Sequence, residues 1–455
     1  MQVTAHSSTL RRLKRELPPS PPQPAALQTL GAVRWPFRYL KYCQNTCGDP
    51  FTLYPLDMAP MVFFADPAEV RSVLTGDAAG LHAGAGAKSI APLIGSRAFV
   101  LLEEDEHAWG RKVVAPAFHK RMVEEQTAAL TDVVEAAVQS WPLGTPIRLL
   151  VHVRALALTV ILRVIFGEDP EMVRLHTLLG RMLGITDTLL LQGPRLQHVV
   201  GWRGTWRRFV RERREVSELL RRLVTRREHA CEPGEHADLL GMLLSAASPD
   251  GSPLSWQQIR HQLMLMIIAG HETTAAQLAW AFLMLAHNQA VQDRLADELD
   301  CGGAEYLTAT VHETLRHKPV FVFAIPREVV SPVEIGAWTY RPPVQLVPCT
   351  YLLHHNPDLY PDPDTFRPER FLGVAPQSRT WLPWGGGLRH CLGRHFAMLE
   401  VTTILRQVIS TRTVLPVSER VEQPRWRSAI LVPAGGARVV LESRDARRRI
   451  FFGCG

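Results

Sequence analysis

The 455-residue chain has no Cys-x-x-Cys pair among its seven cysteines, at positions 43, 47, 231, 301, 349, 391 and 454. An odd number without a signal peptide argues against a disulfide framework and for a reducing compartment. The first eighteen residues carry Arg11, Arg12, Lys14 and Arg15 but no apolar stretch of the kind a signal peptide or membrane anchor needs. A cytoplasmic protein is expected. No repeat and no Gly/Ser linker divides the chain, so one large core is expected rather than several. Composition marks off only the ends: a basic, proline-rich tail over 1–29, a single domain over 30–445 and a short tail over 446–455.

Two further features exclude more than they assign. The most apolar run, Leu149–Phe166, is interrupted by His152, Arg154 and Arg163, so it reads as a buried helix and not a membrane span. A net charge of +7 raises the question of nucleic acid. Yet the densest basic stretch, 206–227, places Trp206, Phe209, Val216, Leu219, Leu220 and Leu223 at helical spacing with charges between them. That is the pattern of a solvated helix face, and no nucleic-acid motif accompanies it.

What is present is a helical chain with sheet near both ends. Residues 18–24, PPSPPQP, are extended and cannot continue a helix. Short apolar strands follow at 51–55 and 61–65, and Asp66-Pro67 then supplies an N-cap and a first helical residue. From about 105 to 320 the periodicity is helical, whereas 328–347 and 429–442 return to β-like alternation. The fold class is mainly α with minor β-sheets.

Chemistry concentrates on Cys391, in the segment 381–400 (WLPWGGGLRHCLGRHFAMLE). Glycines at 385, 386 and 387 let backbone approach a bulky flat group, and a thiol just before a helix N-terminus is favoured as thiolate. A second unusual stretch is 263–278, apolar nearly all round until His271, into which Gly270 and Glu272 are placed. The glycine costs about 1 kcal/mol of helix propensity and the carboxylate is expensive to bury unpaired. A buried Glu with a partner, and a glycine admitting a neighbouring side chain, would account for both. A third element, Glu313 and Arg316, lies three apart on one helix face. His312 and His317 are five apart, which fails the four-residue spacing of a zinc-binding helix.

Together these segments resemble the cytochromes P450. The aromatic-x-x-Gly-x-Arg-x-Cys-x-Gly signature is met at Trp384, Gly387, Arg389, Cys391 and Gly393, with Trp384 where the family usually has Phe. The Ala/Gly-Gly-x-Asp/Glu-Thr-Thr pattern is met at Ala269, Gly270, Glu272, Thr273 and Thr274. Glu-x-x-Arg and Pro-Glu-Arg-Phe elements lie between them in the family's order. The resemblance implies a helical core holding haem b between a long distal helix and the helix that follows the cysteine loop. Cys391 would then be the axial iron ligand, a thiolate that favours O–O cleavage. Gly270 would leave space, Glu272 and Thr273 would manage protons, and His271 would be structural. Glu313, Arg316 and Arg370 would form a triad that fixes the cysteine loop, and His107, Arg111, Arg327 and Arg389 would meet the propionates.

The resemblance also implies a pocket. Its candidate segments are 83–96, 177–201, 320–324 and 428–431, with Ile267, Ala269, Val320, Phe321, Phe323 and Ile430 as substrate contacts. Nearly all are apolar, which implies a hydrophobic small molecule of terpenoid, fatty acyl or polyketide type. No dinucleotide motif, flavin module or iron–sulfur cysteine cluster follows Cys391. The electrons would come ultimately from NAD(P)H, through a reductase and a separate ferredoxin or flavodoxin that lands on Lys112, Lys120, Arg121 and Arg394. Two other readings are a peroxide-driven haem-thiolate enzyme and a non-catalytic haem-thiolate module that recruits a carrier or senses a gas.

Overall fold

Ser255 starts the longest helix among the described residues, and its side chain explains why the helix starts there. Its Oγ accepts from the Gln258 N–H at 3.4 Å while the Gln258 Oε1 accepts from the Ser255 N–H at 2.9 Å, a reciprocal capping box. The helix then runs unbroken over Trp256–His287. At 1.5 Å per residue it is about 48 Å long. We call it the distal helix. The computed structural model describes residues 16–56, 58–76, 80–185, 203–230 and 238–444.

The distal helix is buried on almost every side because its neighbours are apolar too. The helix Leu149–Phe166 packs along it and is itself mostly buried, as the interrupted apolar run predicts. It is the one helix among the described residues long and apolar enough to cross a membrane. The helix Arg203–Ala230 buries Phe209, Val216, Leu219, Leu220 and Leu223 and exposes most of its arginines. Its Glu212 departs from the expected wet face, lying buried beside Arg181 at 3.6 Å. Below the distal helix lie Glu305–His317 and the proximal helix, Arg394–Thr411, whose N-cap is Gly393.

Most of the sheet lies toward the two ends of the chain, as its alternation predicts, but a short strand at Pro146–Arg148 interrupts the span 105–320 expected to be helical. The strands are β1 (Phe51–Leu53), β2 (Met61–Phe64), β3 (Leu81–His82), β4 (Pro146–Arg148), β5 (Arg327–Val329), β6 (Val333–Ile335), β7 (Trp338–Tyr340), β8 (Gln345–Pro348), β9 (Arg412–Pro416), β10 (Pro424–Arg427), β11 (Ile430–Pro433) and β12 (Arg438–Ser443). The largest sheet has the order β1-β2-β8-β5-β3, with β2 and β8 parallel and the other pairs antiparallel. Asp66 caps the next helix, Pro67–Thr75, through the Ala68 and Glu69 N–H groups.

The start of the domain moves from where composition puts it. Leu17 is buried, the Pro18 and Pro19 carbonyls accept from the Thr52 hydroxyl and N–H at 2.8 Å, and Ala25–Arg34 is a helix packed on the sheet. Residues 16–29 are therefore part of the folded body. Their prolines remove helix, not contact.

Candidate active site

The cysteine loop is shaped by a close backbone approach. Gly387 has φ +62°, and a Cβ there would lie 2.3 Å from the Leu74 carbonyl oxygen, so a side chain is excluded on both counts. Gly386 is crowded by the Leu74 side chain as well. These two glycines thus let the loop pass close to the helix Pro67–Thr75. The turn closes when the Cys391 N–H donates to the Trp384 carbonyl at 2.8 Å. Burial pushes the Cys391 thiol up; the Gly393 backbone, Arg111 and Arg394 pull it the other way without cancelling that effect. The thiolate expected from the helix terminus alone is therefore not favoured until a cation meets the sulfur. Gly393 itself is uncrowded, with Phe118 as the nearest neighbour at 3.9 Å.

The loop is held from below by buried charge. Arg316 Nε and Nη2 each donate to Glu313 at 2.7 Å, and both side chains have zero exposure. Arg370 Nε lies 3.5 Å from Glu313 Oε1, so the structure brings all three expected triad members together. Most of the remaining donors tether the chain, although Arg370 Nε makes no hydrogen bond among the described residues. Arg316 donates to the His354 and Pro363 carbonyls at 2.9 Å, Arg370 to those of Pro361 and Asp362, and the Arg367 N–H donates to Glu313 at 2.9 Å.

Across the core, the distal helix opens one face. Ala269 is exposed and Thr273, one turn on, is partly exposed, within a helix otherwise largely buried. The Thr273 hydroxyl donates to the Ala269 carbonyl at 2.6 Å, and the helix remains continuous there. Gly270 makes room for a neighbouring side chain. A Cβ on it would lie 2.8 Å from Ile161 Cδ1, so the glycine receives a side chain of the helix Leu149–Phe166. Glu272 is paired twice: Arg154 Nη2 donates to Oε1 at 2.6 Å and Arg427 Nε to Oε2 at 3.0 Å. Burial raises its carboxyl, but His271, Arg154 and Arg427 overcome that and hold it down to about 2. His271 is buried with Nδ1 3.5 Å from the same carboxylate, and burial lowers its pKa to about 4.

Sequence reasoning missed both arginines. Arg154 had a visible signal as a charge inside an apolar run; Arg427, in the β10–β11 hairpin, had none. A third acid was also missed. Glu400 of the proximal helix is fully buried against Thr274, and neither oxygen has a hydrogen-bond partner among the described residues. Burial pushes its carboxyl well above the usual range, with the Thr274 hydroxyl opposing, so it is held neutral.

The four expected propionate residues divide in two. His107 is buried, and its Nδ1 lies 2.9 Å from Arg389 Nη1 and 3.0 Å from the Phe99 carbonyl, while Nε2 makes no hydrogen bond of good geometry among the described residues, the Leu388 backbone being its neighbour. In the tautomer where Nδ1 accepts from Arg389, Nε2 carries a buried N–H that no well-aligned acceptor meets. Arg327 is 4 % exposed and donates to the Ile325 carbonyl at 2.6 Å; burial and the Arg389 charge lower its pKa to about 10, with Glu103 opposing. These two fit an incoming carboxylate. By contrast Arg389 is already engaged by Glu103 at 2.6 Å and by the Val100 and Leu102 carbonyls. Arg111 is bound to the His390 carbonyl at 2.9 Å and to its ring at 3.0 Å. Of the four, His107 and Arg327 are the ones whose buried polar atoms keep capacity for a carboxylate of a bound group.

The expected substrate contacts fare unevenly. Ala269 and Phe321 are exposed, the latter by 41 %. Ile267 is completely buried, and Val320 and Ile430 lie in the main core. Phe323 is turned toward Phe63 and Trp426, on the sheet side. Helical phase explains Ile267: it lies about 200° around the axis from Ala269. Of the segment 177–201, residues 186–201 lie outside the described residues.

Comparisons with known proteins agree with this geometry. A family model described as Cytochrome P450 matches residues 18–440. The putative cytochrome P450 135B1 of Mycobacterium tuberculosis is 33% identical over 440 residues, covering 94% of this chain and 92% of that one. The putative cytochrome P450 137 of the same species is 32% identical over 436 residues, covering 93% and 90%. The retinoic acid-bound cyanobacterial CYP120A1 superposes with a TM-score of 0.81 at 23% identity, covering 94% of this chain and 99% of that one. By sequence over nearly its whole described length, and by fold, the chain belongs to the cytochrome P450 family.

Proposed function

We propose that this P450 monooxygenase hydroxylates or epoxidises a hydrophobic small molecule, a natural-product intermediate of terpenoid, fatty acyl or polyketide type. The observation that carries the reading is the open face of the distal helix, where Ala269 is exposed and Thr273 partly exposed inside a largely buried element. Cys391 would hold the iron of haem b, and His107 and Arg327 would receive the propionates, with Arg389 and Arg111 adjusting their present bonds. A thiolate-bound haem iron supplies reductive activation of O2 and cleavage of its O–O bond. Each hydroxylation consumes one O2, two electrons and two protons and releases one water.

The chain's own residues supply the protons. Thr273 sits on the open face with a hydroxyl that both donates and accepts. Its bond to the Ala269 carbonyl fixes the oxygen within one turn of that face. Glu272 does not donate as it stands, because two arginines keep it ionised. Releasing Arg154 or Arg427 raises its pKa toward neutrality and lets it take a proton from solvent and pass it inward. Electrons would come ultimately from NAD(P)H through a separate ferredoxin or flavodoxin. Lys112 and Arg394 are exposed for that contact; Lys120 and Arg121 pair with Glu124 and Glu125 along their own helix.

Thr273→Ala tests the reading. With a ferredoxin–reductase pair, product formed per NAD(P)H consumed is expected to fall about tenfold or more while NAD(P)H consumption continues. Retention of full coupling would remove Thr273 from the proton path. Turnover of the native enzyme with hydrogen peroxide alone, at the rate seen with the reductase system, would favour the peroxide-driven reading.

A further inference from the structure

The arginines of the helix Arg203–Ala230 are not alike. Arg211, Arg214, Arg226 and Arg227 each meet a carboxylate, those of Glu212, Glu218, Asp169 and Asp238. Arg213 meets none among the described residues. It is half-buried, donates through Nη1 to the Pro92 carbonyl at 2.7 Å and lies over the Phe209 ring. Arg260, near the start of the distal helix and half-buried too, bonds the Ser217 hydroxyl at 3.0 Å, again with no carboxylate among the described residues. The exposed Arg97 completes a group of three whose charges all act on His261. Repulsion from Arg213 adds to burial in lowering the pKa of Arg260.

His261, 2% exposed, shows what the cluster lacks. Its Nδ1 lies 3.1 Å from the Arg97 backbone nitrogen and its Nε2 lies 2.7 Å from Arg260 Nη2. Both neighbours are donors. Burial and the three arginines lower its pKa to about 4, so the ring is neutral and one of its nitrogens carries a proton. If Nδ1 accepts from the backbone, the Nε2–H points at the Arg260 guanidinium; the other tautomer turns an N–H on the Arg97 N–H. The ring has no room to swing away. Gly95, at φ +95°, passes so close that a Cβ there would lie 2.0 Å from the His261 ring. One acceptor is therefore missing at the buried end of the cluster.

We infer that Arg97, Arg213, Arg260 and His261 form a binding site for a phosphate-type oxyanion, free or as the terminal group of a larger molecule. A tetrahedral dianion presents acceptor oxygens in several directions, which suits guanidinium groups arriving from three separate elements. A carboxylate is planar and singly charged and would satisfy only one fork. The bound oxyanion accepts from the His261 N–H and from Arg260 together, and so relieves the confrontation of donors. It also ties the segment 91–97 to both helices. The site lies about 12 Å along the distal helix from Ala269. It shares no residue with those assigned to the reaction.

The test is calorimetric titration of the full-length holoenzyme with inorganic phosphate, the ionic strength being held constant with chloride. Saturable binding at one site is expected, and phosphate should raise the thermal midpoint by about 2 °C or more. Arg213→Gln and Arg260→Gln should each weaken the binding about tenfold or more. Arg221→Gln, at an exposed arginine of the same helix, should leave it unchanged. Each variant is titrated at room temperature with its haem absorbance matching that of the native enzyme, so that lost binding is not lost fold. Phenyl phosphate separates the two sources. Affinity no better than that of inorganic phosphate assigns the site to the free ion, and affinity about tenfold tighter assigns it to a terminal phosphate of a larger molecule. Absence of saturable binding overturns the inference, as does a midpoint shift that chloride reproduces or native affinity in both arginine variants.

Discussion

Glu272 and Glu313 each lie between two arginines, one beside the open face of the distal helix and one beneath the cysteine loop. Glu313 has no exposure, and its arginines also hold backbone carbonyls from the segment between residues 354 and 365. Glu272 keeps 12% of its side chain exposed, and its arginines come from a separate helix and from a hairpin. The first arrangement has no freedom left: moving one charge strands the others in a dry interior. In the second, the side chain is not fully enclosed and its arginines belong to separate elements, so an arginine can leave and be replaced. The same three-body motif serves as a lock in one place and as an adjustable acid in the other, and solvent access makes the difference.

The comparison is broken most severely at the lock. Glu313→Gln should cost about 3–5 kcal/mol of stability, read as a lowered denaturation midpoint, because Arg316 and Arg370 then lack their counter-charge. Arg316→Lys should cost a similar amount, since an ammonium cannot reproduce the fork to both carboxylate oxygens. A smaller effect is expected at Glu272→Gln: about 2 kcal/mol of stability, with a larger loss of coupling between NAD(P)H and product. The stabilising contribution of Glu272 is present above the ordinary carboxyl value of 4.5 and is lost as pH falls toward about 2. The stability difference between native and Glu272→Gln proteins should therefore shrink on acidification; a constant difference would mean that the charge is not what holds the site.

The smallest effect, and the opposite sign, is expected at Glu400. Its raised pKa keeps the folded state neutral while the unfolded chain ionises above 4.5, so its penalty is absent at low pH and grows as pH rises. Glu400→Gln should raise the thermal midpoint by about 2 °C or more at pH 8 and leave it unchanged near pH 4. A midpoint that falls at both pH values would show that the carboxyl makes a native bond which Gln does not replace.

What the sequence made legible follows from distance along the chain. The cysteine loop, the Ala269–Thr274 pattern and the Glu313–Arg316 pair are contiguous, so spacing alone shows them, and apolar periodicity shows the helices around them. The partners of Glu272 lie 118 and 155 residues away and are brought to it only by tertiary packing. Gly270 shows the same limit from the other side. Its presence in a helix was visible, but whether ligand or neighbour fills the space depends on Ile161, on another element.

That small knob-and-notch contact has a bearing on how the enzyme can diversify. With Ile161 seated at Gly270 and Trp280 bonded to the Leu431 carbonyl at 3.0 Å, the distal helix is pinned against both translation and rotation at two points along its length. Under the proposed function, new substrates would be accommodated by changes around this fixed axle, such as at the exposed Phe321. The axle itself is the part that drift can least afford to change.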